Sequence, residues 1–261
     1  MPAPMKALYW FVVANAYLAA FSLIFFPYET DKTFFWRIAP PLSAGMFGVL
    51  YLAAGTLVLQ AVLRGRWETA RYLTAMVPVF TGMVLLTTFL HTDRFVRDAR
   101  FYYWLAVYIV APLAGLLFYY LLERDGRANW QVVQRPVRAG ARRVLVGLGV
   151  LMAVLVIAGY IFPQAVIAFW PWELTPLMVR IFLSWVSAMA VSLLWFAVDR
   201  EWTRVQPVAA MMVTAAGLML LVLFIHPLDI RSAPGTAVFG LVLAATIIYG
   251  VMLILVHQKA A

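Results

Sequence analysis

Two short strings carry the residues best suited to chemistry: FLHTDR, residues 89–94, and FIHPLDIR, residues 224–231. Each puts a histidine at the end of a long apolar run with an acid just beyond it, Asp93 after His91 and Asp229 after His226. Imidazole with carboxylate suits zinc, copper or iron, and two neutral histidines on facing helices can hold a haem from both sides. Gathered together, His91, His226, Asp93 and Asp229 would make a two-histidine, two-carboxylate centre. A plainer reading stands beside it. Histidine tolerates the zone where a helix leaves a membrane, Pro227 stops a helix unaided, and duplication copies a helix-ending residue as readily as a ligand. The plainer reading is preferred, so no cofactor is expected; haem or a divalent metal at the pair is the alternative. His257 receives no role.

Arg180 is the one charge inside an apolar run, about a turn and a half from its end. It would snorkel to the headgroups or pair with Glu173; the functional alternative is an anchor for an anion or carboxylate. FWPWELTPL (169–177) and FFWRIAPPL (34–42) place Trp172 and Trp36 in short stiff loops, as interfacial plugs or as an aromatic wall for an apolar ligand. Asn15, Thr81, Tyr108 and Thr214 are polar groups expected to face protein instead of lipid. The candidate ligand contacts are therefore Arg180, Trp172, Trp36, Glu173 and Asn15.

Several chemistries are excluded. The chain has no cysteine, so disulfides, thiolate metal sites and thiol nucleophiles are impossible. No Asp, Glu or Lys lies in the middle of an apolar run, which argues against proton relays and ion pathways. Lys6, Lys32 and Lys259 all lie outside the runs, so a retinal Schiff base is excluded. The chain contains no GxxxxGK[ST], HExxH or GxSxG string, and catalysis is not expected.

The elements that must position these residues follow from composition. Of 261 residues 65% are hydrophobic and 12% charged, whereas a soluble domain is about half apolar and about a quarter charged. The surplus needs a bilayer as solvent. Eight runs reach the roughly 20 residues a membrane helix needs: 5–27, 40–63, 70–91, 101–122, 143–162, 175–198, 206–226 and 234–257. The first is read as a retained helix and not a signal peptide, because it continues past Ala14-Asn15-Ala16. Pro78 and Pro112 are expected to kink spans three and four and open room there. Gly45 and Gly48 thin span two for close helix approach.

The net charge of +9 would suggest nucleic acid in a soluble chain, but the basic residues sit in loops between apolar runs, and no nucleic-acid partner is expected. Thirteen of the 20 Lys and Arg fall on the side of the termini and the loops 64–71, 124–143 and 199–204, which places both termini in the cytoplasm.

The chain also repeats. Phe26-Pro27, Trp36 and Pro40 return 136 residues later as Phe162-Pro163, Trp172 and Pro176. Trp67, Gly82 and Phe89-Leu90-His91 return 135 later as Trp202, Gly217 and Phe224-Ile225-His226. The expected fold class is an all-α polytopic membrane protein, eight transmembrane helices as two tandem parallel four-helix repeats, with N and C termini cytoplasmic. Residues 1–123 form the first repeat, 124–142 a basic cytoplasmic linker and 143–261 the second repeat.

The preferred function is a non-catalytic binding module or accessory subunit in a bacterial inner (plasma) membrane, holding lipid or another apolar ligand. Its expected partners are membrane lipids, other membrane subunits or further copies of itself. The alternatives are a facilitator or exporter of a neutral or weakly anionic solute between the repeats, and a redox protein with haem or metal at His91 and His226.

Overall fold

Eight long apolar helices carry the chain to and fro in the computed structural model, which describes residues 1–124 and 132–258. They are α1 (Ala3–Phe25), α2 (Pro41–Arg64), α3 (Trp67–Leu90), α4 (Ala99–Arg124), α5 (Ala139–Ile161), α6 (Pro176–Trp195), α7 (Trp202–Ile225) and α8 (Ala233–Gln258). Each is long enough to cross a hydrocarbon core, and a helix satisfies its own backbone polar groups there. The protein is all-helical and compatible with a polytopic membrane protein. Arg127, with the rest of 125–131, and Lys259 lie outside the described residues.

Local chemistry sets the helix ends. Pro41 and Pro176 occupy first turns, where a missing N–H costs nothing. Thr175 Oγ1 accepts the Met178 N–H, and Glu201 accepts the Thr203 N–H, capping α6 and α7. Gly65, at φ 65°, takes the left-handed conformation that turns α2 into α3 within two residues. Two boundaries differ by four residues from the sequence expectation, and the others by three or fewer. Helix α7 begins at Trp202 and not 206, because the Glu201 cap starts it and Pro207 is tolerated inside it. Helix α5 begins at Ala139 and not 143, because Arg142 reaches the Ala197 carbonyl at 3.2 Å instead of belonging to a loop.

The helices form an inner and an outer set. Helices α2 and α6 each bury 61% of their central residues and α8 only 17%, so α8 is peripheral. Helix α2 packs on α1 and α7, α6 on α5 and α3, α3 on α4, and α7 on α8. Across the centre Phe47 of α2 stacks on Phe182 of α6 at 4.2 Å. Gly45 and Gly48 allow the close approaches expected of them. An added Cβ would lie 2.8 Å from Val222 Cγ1 at Gly45 and 2.6 Å from Ile24 Cγ1 at Gly48. Between helices in lipid such packing replaces the hydrophobic drive.

Both described chain ends lie at one end of the bundle, the terminal end. There the Met1 ammonium donates to the Gly65 carbonyl at 2.6 Å. The described part of the linker is docked: Val137 N–H donates to Arg200 O and Trp202 N–H to Arg135 O, both at 2.8 Å. The Glu201 carboxylate accepts the N–H groups of Gln134 and Arg135. His257 stacks on Trp202 at 4.3 Å and its Nε2 accepts the Arg138 N–H. Two ion pairs with buried arginines complete this end. Arg71 forks onto Glu123 at 2.6 and 2.8 Å, and Arg204 meets Asp199 at 2.8 Å.

Candidate functional site

Small residues on the facing sides of α1 and α2 leave room that larger residues would fill. Ala16 and Ala19 of α1 and Ala54 and Gly55 of α2 line a cavity of about 390 Å³, closed by α3, α4 and two residues of α6, Trp185 and Ala188. That volume falls within the ~300–1,000 Å³ usual for small-molecule sites. The room expected near Pro78 and Pro112 is here: Val77 and Ala111, their chain neighbours, line it. Pro112 lies inside an unbroken helix, and Pro78 inside the Leu73–Leu90 part of α3, just beyond a turn at residues 71 and 72.

The walls are aromatic. Phe80 lies 4.1 Å from Trp185, Trp104 lies 4.1 Å from Tyr108, and Tyr51 meets Trp185 edge-on at 4.9 Å. In the lining, the Tyr51 and Tyr108 hydroxyls bond each other at 3.1 Å. Phe34 and Phe35 form a roof, and their loop is pinned by Arg100, whose Nη1 donates to the carbonyls of Asp31, Lys32 and Phe34. Asn15 of α1 and Tyr103 of α4 line the flank and are hydrogen bonded, Tyr103 donating. Exposed Phe11, Leu18 and Tyr103 also line the cavity, so it opens sideways between α1 and α4.

Helices α5 to α8 enclose a crevice of about 10 Å³. Counted from the helix starts, larger side chains stand at the two positions: Leu155, half exposed on the outer face, at that of Ala19, and Met189 at that of Ala54. Asn15, Tyr51, Tyr103 and Tyr108 correspond to Leu151, Val186, Ala237 and Val242, so the polar groups are absent as well.

The sequence candidates are distributed unevenly around this site. Asn15 lines the cavity, as do Thr81 and Tyr108. Thr214 instead is exposed and donates to its own helix, to Ala210 O at 2.9 Å, which removes the need for a protein partner. Trp36 and Trp172 are buried plugs outside the cavity lining. Trp36 packs against Phe34, Phe95 and Trp104, and Trp172 donates from Nε1 to Ser43 Oγ of α2 at 2.8 Å. Glu173 is exposed and pairs with Arg231 at 2.7 Å. Arg180 therefore finds no salt bridge there: Nε and Nη2 reach Tyr160 O at 3.3 and 3.2 Å, and Nη1 lies 2.7 Å from His91 Nε2.

The histidines cap α3 and α7, but their surroundings differ. His91 faces Arg180, and burial followed by that guanidinium pushes its pKa below the ordinary histidine value. Asp93 is exposed and pairs with Arg94 at 3.0 Å. His226 lies 3.9 Å from Asp229 and near the Tyr28 ring. Asp229 Oδ2 in turn accepts the Leu42 N–H, capping α2 from across the bundle. Among the described residues no three His, Asp or Glu side chains converge where a metal ion could sit.

Sequence reasoning did not single out Tyr51, Phe80, Trp185 or the small residues Ala19 and Ala54. For three of them a signal was available on comparing the halves, where Tyr51 stands opposite apolar Val186, and Ala19 and Ala54 opposite the bulkier Leu155 and Met189; Phe80 and Trp185, opposite the smaller Ala215 and Leu50, gave none. Comparison with known protein families, characterised proteins and solved structures finds no match.

Proposed function

We propose that this protein is an integral membrane binding module, without catalysis, that holds a lipid or another apolar molecule in the cavity of its first four helices. The observation that carries the reading is that cavity: about 390 Å³, aromatic, free of Asp, Glu, Lys, Arg and His, and open on the flank that lipid would touch. A ligand arriving from the bilayer enters between α1 and α4 without crossing water. A role as an accessory subunit fits the same geometry, because the flanks of α4, α5 and α8 are apolar and exposed. The central Phe47–Phe182 stack fills the space between the halves, so the facilitator reading has less support than the cavity.

The repeat and the orientation belong to the same proposal. Three of the four helix pairs have equal lengths, 23 residues for α1 and α5, 24 for α3 and α7, and 26 for α4 and α8, while α2 has 24 and α6 has 20. The cross-half packing also pairs as a twofold axis requires, α2 with α7 and α6 with α3. The excess of Lys and Arg at the terminal end supports cytoplasmic termini.

The test is native mass spectrometry from mild detergent. Wild type is expected to retain an apolar adduct, and Ala54→Phe, which fills the cavity, to lose it while remaining folded. Equal adducts on both proteins, or none on wild type, would refute the reading. Because the chain has no cysteine, Lys32→Cys, Gln164→Cys and Arg66→Cys report orientation cleanly. The first two should label from outside the cell and the third from inside.

A further inference from the structure

The cavity wall contains one hydroxyl proton without an acceptor. Tyr51 and Tyr108 are both buried, and their oxygens bond only each other among the described residues. A phenol has one proton. Two phenols sharing one hydrogen bond therefore use one proton and leave the second unmatched, on a wall of buried side chains. The other hydroxyls of the lining are spent. Thr81 donates to Val77 O, Ser22 to Thr33 O, Thr33 to Glu29 O and Tyr103 to Asn15. Trp104 Nε1 donates to Thr88 Oγ1. Trp185 Nε1 is also unmatched, but it is sealed in packing with no accessible surface, so a ligand atom does not reach it. Asn15 Nδ2 donates to Phe11 O and keeps its second N–H at the exposed flank, so the tyrosine pair is the donor of the buried wall.

We infer that the cavity takes an uncharged lipid-soluble molecule bearing a carbonyl oxygen, and that the Tyr51–Tyr108 pair donates the hydrogen bond that holds it. This rests on the reading of the cavity as a ligand site. The carbonyl satisfies the spare proton, and the aromatic walls cover the adjoining apolar surface. The hydrocarbon tail leaves between α1 and α4 into the bilayer. An ionised headgroup does not fit, since no charged side chain lines the cavity and an unpaired charge there would be costly. Two carbonyl sources share this chemistry, a quinone ring and an acyl ester.

The experiment measures binding of four probes to the whole protein in nanodiscs by competition: decylubiquinone, decylbenzene, methyl palmitate and hexadecane. Each carbonyl probe has a hydrocarbon control of similar shape. In wild type the better carbonyl probe should exceed its control by about threefold to tenfold, the value of one net hydrogen bond; which probe wins identifies ring or ester. Tyr51→Phe or Tyr108→Phe alone leaves one phenol free to donate, so most of the preference should survive. The double variant Tyr51→Phe with Tyr108→Phe should bring the ratio to about one. Because the ratio is taken within a single variant, partial loss of folded protein cancels.

Equal binding of carbonyl probes and controls to wild type, with Ala54→Phe abolishing all four, would overturn the hydrogen-bond inference and keep the cavity. A double variant that retains the wild-type ratio would also overturn it. Failure of all four probes to bind wild type would overturn the cavity reading itself, and this inference with it.

Discussion

Removing the Tyr160 hydroxyl tests how the polar groups between α3, α5 and α6 share their protons. That oxygen lies 2.7 Å from Thr87 Oγ1, 2.8 Å from Ser184 Oγ and 3.0 Å from Met83 O. Thr87 also approaches Met83 O at 2.9 Å, and Ser184 approaches Arg180 O at 2.8 Å. There are five close contacts but only three hydroxyl protons, so no more than three of these bonds exist at once. Tyr160→Phe removes one proton; the other two still reach Met83 O and Arg180 O within their own helices. No buried donor is stranded, and the loss should be that of one or two interhelical bonds. Such bonds in membrane proteins average about 0.6 kcal/mol and reach about 1.7 kcal/mol, so the expected cost is about 1 kcal/mol. The Tyr160 carbonyl still holds Arg180. The assay is reversible unfolding in bicelles titrated with dodecyl sulfate, followed by tryptophan fluorescence. A loss above about 3 kcal/mol, beyond what one buried hydroxyl supplies, would mean that the network is cooperative and the proton count is wrong. No loss at all would mean that the hydroxyl faces lipid.

Two further outcomes are expected. Glu123→Gln should cost about 2 kcal/mol, because the Arg71 guanidinium loses its forked, charged hydrogen bonds and keeps its other contacts, the Trp195 ring among them. Replacing both Arg71 and Glu123 by Leu should cost much less, and equal losses in the same unfolding assay would refute the account. The folded state favours neutral His91, since burial and then Arg180 lower its pKa. Below the ordinary histidine value of about 6.5 the unfolded chain therefore binds more protons. Stability should fall as pH drops from about 7.5 to about 5, and the fall should be smaller in His91→Gln. Identical thermal melting profiles against pH in the two proteins would count against this.

The eight helices were legible because hydropathy reports the bilayer, which acts on whole segments and tolerates errors of a few residues at either end. The side-chain partners were not. Glu173 looks like the partner of Arg180 by sequence distance, yet Arg231 from the loop between α7 and α8 reaches it first. Asp93 and Asp229 look equivalent, but one is exposed beside Arg94 and the other caps α2, 187 residues away in sequence. These outcomes depend on which loop arrives at which helix end, and no local pattern encodes that. The cavity was hidden for another reason. It is made by small side chains, and Ala19 or Ala54 alone reads as ordinary packing. Only beside Leu155 and Met189, larger at the same register on the two-repeat reading, does either stand out as small.

On the two-repeat reading, the centre of the molecule obeys a geometric requirement. A residue close to a twofold axis must meet its own counterpart, and Phe47 and Phe182, 135 positions apart, stack on each other. Away from that axis the same register pairs Gly45 of α2 with Arg180 of α6, and Val222 of α7 with Thr87 of α3. One cross-half interface is thus closed by a glycine against a valine, and the other carries an arginine and a bridge of hydroxyls. The halves differ likewise in their spaces, an open cavity in α1 to α4 and a narrow crevice in α5 to α8. Helix packing tolerates both solutions because in lipid it asks only for close fit and matched polar groups. One half can then keep the fold well packed while the other holds a space. On this reading the second repeat is the scaffold and the first is where a ligand binds, so the effect on binding of filling the cavity should exceed that of any substitution at Leu155 or Met189.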